Sequence, residues 1–234
     1  MYNDSTDLIL ITESFLHTGI SNGLLDPTNH YNILRTDRTG GRGGGVCALI
    51  KRNLDLVITP VSLRDCFADL EIVYFTIEKV VPPLRFFVVY RPPYYDQLAV
   101  NYISTLTTCL NQYAVGLYVN LIVGDFNLLH IDWNTLSCLD DKMHKSFLDF
   151  CISSGFSQCI SFVLLQMGKT FLISFCVIMT RLFMMSVVLH PLAIAIMPLS
   201  ILLSWLQNTI VQLNSVLDYY TIGLMLLTTP WRVF

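Results

Sequence analysis

The chain has 234 residues, 14 of them basic and 17 acidic, with a net charge of −3, a hydrophobic content of 53% and a charged content of only 13%, about half the charged share of an ordinary globular domain. That size suits one large domain or two small ones, and the charge balance excludes a global field that would draw the chain to nucleic acid. The seven cysteines form no C-x-x-C pair, which argues against a zinc site and a disulfide framework and leaves reduced, mostly buried thiols. Asp4 and Asp7 stand where a secretory leader needs positive charge, so the sequence reads as intracellular and not secreted. Charge is also unevenly placed: after Phe162 only Lys169, Arg181, Asp218 and Arg232 remain. Residues 1–162 read as a soluble domain, and 163–234 as an apolar tail of a different kind.

Leu8–Ile11 is a continuous apolar run ending at Thr12-Glu13, the pattern of a strand buried on both faces. Residues 17–30, with Gly19, Gly23, Pro27 and Asn29, read as loop. The glycines of "GGRGGG" (40–45) predict a flexible loop that feeds a strand over Val46–Ile50. Further strands are expected over Leu54–Val61, Leu70–Ile77 and Leu84–Tyr90, the last two separated by Pro82-Pro83. Leu98, Val100, Ile103, Leu106 and Leu110 make a helical stripe within 96–113. Val119–Val123 is another buried strand, and Met143–Ile152 a helix stopped by Gly155. Strands outnumber helices, which suggests mixed sheets with helices outside, an α/β sandwich.

Polar groups stand at the carboxyl ends of the apolar strands: Glu13, Tyr90-Arg91 and Asp125 with Asn127. Open α/β sheets place their sites at such ends. Carboxylate and carboxamide oxygens are hard ligands that suit Mg²⁺, and a metal with positioned donors stabilises the charge that develops on a phosphodiester. Each residue also has a plain structural reading: Glu13 at a helix start, Asp125 and Asn127 as turn formers, Tyr90 as a half-buried aromatic before Pro92-Pro93, Arg91 as a solvated charge. The glycine loop lacks a following Lys-Ser/Thr and is not a P-loop. His17, His30, His130 and His144 show no partner in the sequence and read as surface or loop histidines.

In order, "ILITESFL", "YNILRTDRTGGRGGGVCALIK", "FFVVYRPP" and "LIVGDFNLLHIDW" resemble the endonuclease/exonuclease/phosphatase superfamily, most of all the apurinic-like endonuclease domain of non-LTR retrotransposons. The resemblance spans roughly residues 7–162. It implies a four-layer α/β/β/α sandwich that nicks one DNA strand for a reverse transcriptase encoded by the same element. By that resemblance Glu13 would bind Mg²⁺, Tyr90 would contact the scissile phosphate, Asp125 would orient water or assist the leaving group, and Asn127 would hold the phosphate. Arg38, Arg42 and Arg91 are the candidate DNA-phosphate contacts.

Two corners of the family's site have no match. The first strand of the family ends in a metal-holding asparagine, and Asn3 lies too close to the Glu13 strand to fill that role. The closing Ser-Asp-His supplies a general base, yet after residue 162 the only histidine is His190, followed by Pro191, and the only acid is Asp218. The sandwich is therefore expected to be incomplete at both ends, and the chain nearly inactive. Taking the last base of each codon with the first two of the next permits Asp-His opposite Ala195–Met197, so the tail reads as a frameshifted remnant of the same domain. The rivals are a membrane-anchored tail, disfavoured by Arg181, Pro191 and Pro198 within its apolar runs; a phosphatase of the same superfamily; and a non-catalytic DNA-binding remnant.

Overall fold

A computed structural model describes residues 7–39, 43–52, 57–79, 83–93 and 97–158, together with strand segments at 165–166, 169–170, 178–180 and 224–227. The chain divides into two compact units, one of residues 1–55 with 192–234 and one of residues 56–191.

The first unit is built on β1 (Leu8–Thr12), β2 (Tyr31–Thr36), β3 (Val46–Lys51) and β14 (Leu224–Leu227), in the order β14-β1-β3-β2. β3 runs antiparallel to both neighbours, from Leu8↔Ile50 to Thr12↔Val46 and from Tyr31↔Lys51 to Thr36↔Val46, while β14 lies parallel to β1. Ile9, Leu16, Tyr31, Cys47 and Leu49 form the core on one side, with Ile11, Ile20, Leu25 and Ile33 packed against it. The segment expected to be loop contains one helical turn, α1 (Asn22–Leu25). Arg35 ties this turn and the segment before it to β2 by donating to Asn22 Oδ1 and to the carbonyls of His17 and Ile20, while pairing with Asp37.

The second unit carries a six-stranded sheet of β4 (Ile58–Pro60), β5 (Glu71–Ile77), β6 (Leu84–Tyr90), β7 (Val119–Asp125), β10 (Phe156–Gln158) and β13 (Ile178–Thr180), ordered β10-β13-β7-β6-β5-β4. β6 and β7 are parallel, paired from Leu84↔Val119 to Tyr90↔Asp125, and α2 (Gln97–Tyr113) makes the crossover between them. Every residue of β5 and β6 is buried, so neither has the alternation of a one-sided strand. Ala99, Ile103, Leu106, Cys109 and Leu110 of α2 join Phe87, Val89 and Ile122 of the sheet and Phe147, Leu148 and Cys151 of α3 (Lys142–Ser153) in one core. A short hairpin, β8 (Ile131–Asp132) with β9 (Ser137–Cys138), and a second, β11 (Leu165–Gln166) with β12 (Lys169–Thr170), complete the described strands. The chain is therefore mixed α/β with several sheets and few helices.

The strand expected over Leu54–Val61 is realised at Ile58–Pro60, residues 53–56 lying outside the described residues. Most of 163–234 also lies outside them, and with it the reading of that stretch as a frameshifted tail. No described helix is long and apolar enough to cross a membrane. Burial pushes the Cys47 and Cys109 thiols up to about 12, and Cys151 upward too, which makes them packing groups and not nucleophiles.

Candidate active site

β7 stops at Gly124-Asp125-Phe126-Asn127 for a steric reason. Gly124 pairs with Val89 of β6, and a Cβ on Gly124 would stand 1.8 Å from the Val89 carbonyl oxygen. Only glycine lets β6 and β7 approach there. The next residue, Asp125, is half-buried and sits in register with Tyr90 at the carboxyl end of the neighbouring parallel strand. Asn127 takes φ +49, a left-handed conformation that asparagine adopts at low cost. Its backbone N–H donates to Asp125 Oδ1 at 3.0 Å, which fixes the carboxylate.

The two strand ends are tied together. The Arg91 N–H donates to the Asp125 carbonyl at 2.8 Å, and Asn127 Nδ2 donates to the Arg91 carbonyl at 2.7 Å. Because a carbonyl oxygen can only accept, Nδ2 and not Oδ1 must face it, and this bond sets the orientation of the Asn127 carboxamide. One Nδ2–H is committed, and the second, with Oδ1, is left on the half-buried side. Tyr102 of α2 adds a clamp from the helix: its hydroxyl donates to the Tyr90 carbonyl at 2.8 Å and accepts from the Glu71 N–H at 3.2 Å. Tyr90 itself is 3% exposed. The structure thus brings Tyr90, Asp125 and Asn127 together as the sequence suggests.

Arg91 is a correction. Read from sequence as a DNA-phosphate contact, it is 0% exposed. Its Nε donates to the Phe126 carbonyl, and Nη2 donates to the Asn127 carbonyl at 2.7 Å. A guanidinium buried on backbone carbonyls does not meet a phosphate at the surface.

On the first unit, Glu13 follows β1 with φ +52 and is half-buried, and Phe15 after it has φ +56. Left-handed backbone in two non-glycine residues is uncommon and concentrates at functional sites. The described part of the glycine loop is pinned, contrary to its expected flexibility. Ser14 N–H and Phe15 N–H donate to the Gly45 and Gly44 carbonyls at 3.1 and 2.9 Å. Gly44 has φ +78, and a Cβ there would lie 2.2 Å from Arg38 Cζ, so the guanidinium rests on bare backbone. Arg42 lies outside the described residues.

A second correction concerns His144, which is 1% exposed rather than a surface residue. Asp141 caps α3 by accepting from the Met143 and His144 N–H groups at 3.0 and 2.9 Å, and its other oxygen meets His144 Nδ1 at 2.5 Å. Burial lowers the His144 pKa below its usual value; Asp141 opposes this, while His130 and Arg91 reinforce it. Burial pushes Asp141 upward, but the His144 backbone and ring and the Met143 N–H outweigh it and hold the carboxylate below its usual range. The two shifts together describe a carboxylate accepting from a neutral imidazole, with Nδ1 protonated. His144 Nε2 is then a buried acceptor with no hydrogen-bond partner among the described residues, and the His130 ring lies 5.2 Å from the His144 ring between centroids. The signal was present in "DDKMH": an acid at the N-cap with a hydrogen-bonding residue three positions on is the spacing of a capping box.

Two solved structures share this arrangement of elements. The AP endonuclease LMAP from Leishmania major matches with a TM-score of 0.54 over 76% of this chain and 71% of its own, at 12% identity. An AP endonuclease from Archaeoglobus fulgidus matches with a TM-score of 0.52 over 74% and 76%, also at 12% identity. At that identity the likeness shows the fold alone, a mixed α/β fold shared with these two AP endonucleases. No family profile matches the sequence, and no curated protein does. Tyr90, Asp125 and Asn127 stand at the ends of adjacent parallel strands, and Glu13 directly follows β1. No three His, Cys, Asp or Glu side chains converge as a metal cage among the described residues. A lone glutamate fits Mg²⁺, which takes one or two carboxylates and completes its shell with water and substrate phosphate.

Proposed function

We propose that the chain is a Mg²⁺-dependent phosphodiesterase of the DNA endonuclease type, derived from a retrotransposon, whose activity as translated is nearly lost. The observation that carries the reading is the tied pair of strand ends, which fixes a carboxylate at Asp125 and an oriented carboxamide at Asn127. Asn127 has an Nδ2–H left to donate to a non-bridging phosphate oxygen. By the resemblance Asp125 would accept a proton or orient water, and Tyr90, although buried, would contact the scissile phosphate. Glu13 would hold Mg²⁺, which supplies a Lewis acid for the charge on the phosphate. Arg38 is the remaining described candidate for a phosphate contact. The retrotransposon origin is supported by "RTDRTGGRGGGV" and "YRPP", and DNA and the reverse transcriptase of the parent element are its implied partners.

The Asp-His base of the family has no match in the sequence, and general-base catalysis contributes roughly 10²–10⁴-fold. Incubation of the purified chain with supercoiled plasmid and Mg²⁺ should therefore give nicking at or near background. Vigorous nicking that Glu13→Ala and Asp125→Ala abolish refutes the loss of activity. Hydrolysis of a phosphomonoester with intact plasmid favours the phosphatase reading instead.

A further inference from the structure

We infer that Arg91 is a positioning residue: it sets the geometry of Asn127 and Asp125 from beneath and never touches the substrate. The inference rests on the phosphodiester reading of these strand ends. The hydrogen bonds form a closed cycle. The guanidinium donates through Nε to the Phe126 carbonyl and through Nη2 to the Asn127 carbonyl at 2.7 Å. The same turn returns to the Arg91 backbone, with Arg91 N–H on the Asp125 carbonyl at 2.8 Å and Asn127 Nδ2 on the Arg91 carbonyl at 2.7 Å. Asn127 N–H then closes on Asp125 Oδ1 at 3.0 Å.

The two successive carbonyls turn toward one guanidinium about the left-handed Asn127, at φ +49. The planar fork of arginine fits two such acceptors at once, whereas the lysine ammonium is a point charge on a flexible stem. Taking a guanidinium fully out of water costs several kcal/mol, a cost retained only where the charge is well bonded. Here those bonds fall on the two peptides that orient the candidate phosphate ligands. The function of Arg91 therefore follows from the shape of its donor group and not from its charge.

The test uses the full chain, ¹⁵N-labelled, with the Asn127 side-chain amide pair assigned by its loss in Asn127→Asp. Arg91→Lys keeps the charge and removes the fork. The expected result is that this pair shifts toward the position of solvent-exposed amides and exchanges about tenfold faster, the consequence of losing about one hydrogen bond's worth of restraint. The backbone amides of β5, in the same unit, should remain in place, which separates local release from unfolding. Arg91→Met, read by duplex DNA binding at several salt concentrations, should leave the salt slope unchanged. An Asn127 pair unmoved in Arg91→Lys overturns the inference, as does a slope that falls by about 0.9 in Arg91→Met, the signature of one lost phosphate contact. If Arg91→Met unfolds the chain, Arg91→Lys decides. If wild type binds no DNA, the amide signal still decides on Arg91, and the phosphodiester reading alone fails.

Discussion

Gly124→Ala is the sharpest structural perturbation available. The added Cβ would lie 1.8 Å from the Val89 carbonyl oxygen, 2.8 Å from its carbonyl carbon and 3.0 Å from its nitrogen. All three are backbone atoms of the adjacent strand, so no rotamer change relieves the overlap. Relief requires β6 and β7 to separate at their carboxyl ends, beside the Tyr90↔Asp125 pair. Overpacking of a rigid interior costs about 1–3 kcal/mol. Loosening one or two ladder bonds adds about 1 kcal/mol each. The sum, about 2–5 kcal/mol, is a large part of the 5–15 kcal/mol of a typical domain. The control is Gly116→Ala, where φ is +91 but the nearest contact is Tyr118 at 3.6 Å, so only the backbone conformation resists it, at about 1–2 kcal/mol. Urea unfolding followed by far-ultraviolet circular dichroism measures both. A Gly124→Ala protein within about 1 kcal/mol of wild type would refute the steric account of why β7 needs glycine at position 124.

Two further predictions follow from the same geometry. His144 has a folded pKa below its ordinary 6.5, so the unfolded chain binds the proton first. The stability it contributes is present above about 6.5 and is lost as pH falls through the folded value. Urea midpoints at pH 7.5 and 5.5 should differ for wild type and converge in His144→Asn; equal pH dependence in the two proteins counts against the buried neutral imidazole. Tyr102→Phe removes the hydroxyl bridging the Tyr90 carbonyl and the Glu71 N–H and should cost about 1–2 kcal/mol, with a cost near zero showing that the helix clamp does not matter.

Much of the framework was legible because its signals are local. The apolar run of Leu84–Tyr90 is realised with the same bounds, and the stripe in 96–113 as Gln97–Tyr113. β2 was missed because Tyr31–Thr36 is half-buried along most of its length and shows no alternation to read. The glycine at the end of β7 was legible as a motif, but its cause, the Val89 carbonyl, belongs to another strand. Arg91 and His144 misled for one shared reason. Next to Pro92-Pro93, and in a polar segment after Asp140-Asp141, both look solvated; the tertiary fold buries both, Arg91 on the Phe126 and Asn127 carbonyls, while the Asp141 partner of His144 is local. The loop glycines suggested freedom, whereas Gly44 and Gly45 carry the backbone bonds that hold Ser14 and Phe15 beside Glu13.

The measurement that most directly tests the central claim, a phosphodiesterase site that lacks its general base, is the nicking rate of a repaired chain. Residues from 163 onward are replaced by the translation of the alternative reading frame at the locus, and the rate is compared with the chain as it stands on supercoiled plasmid in Mg²⁺. The account predicts an increase of roughly 10²–10⁴-fold, abolished by Glu13→Ala or Asp125→Ala. A stop codon in that frame between codons 163 and 200, or a repaired chain that carries Asp-His and still leaves the plasmid intact, would contradict it.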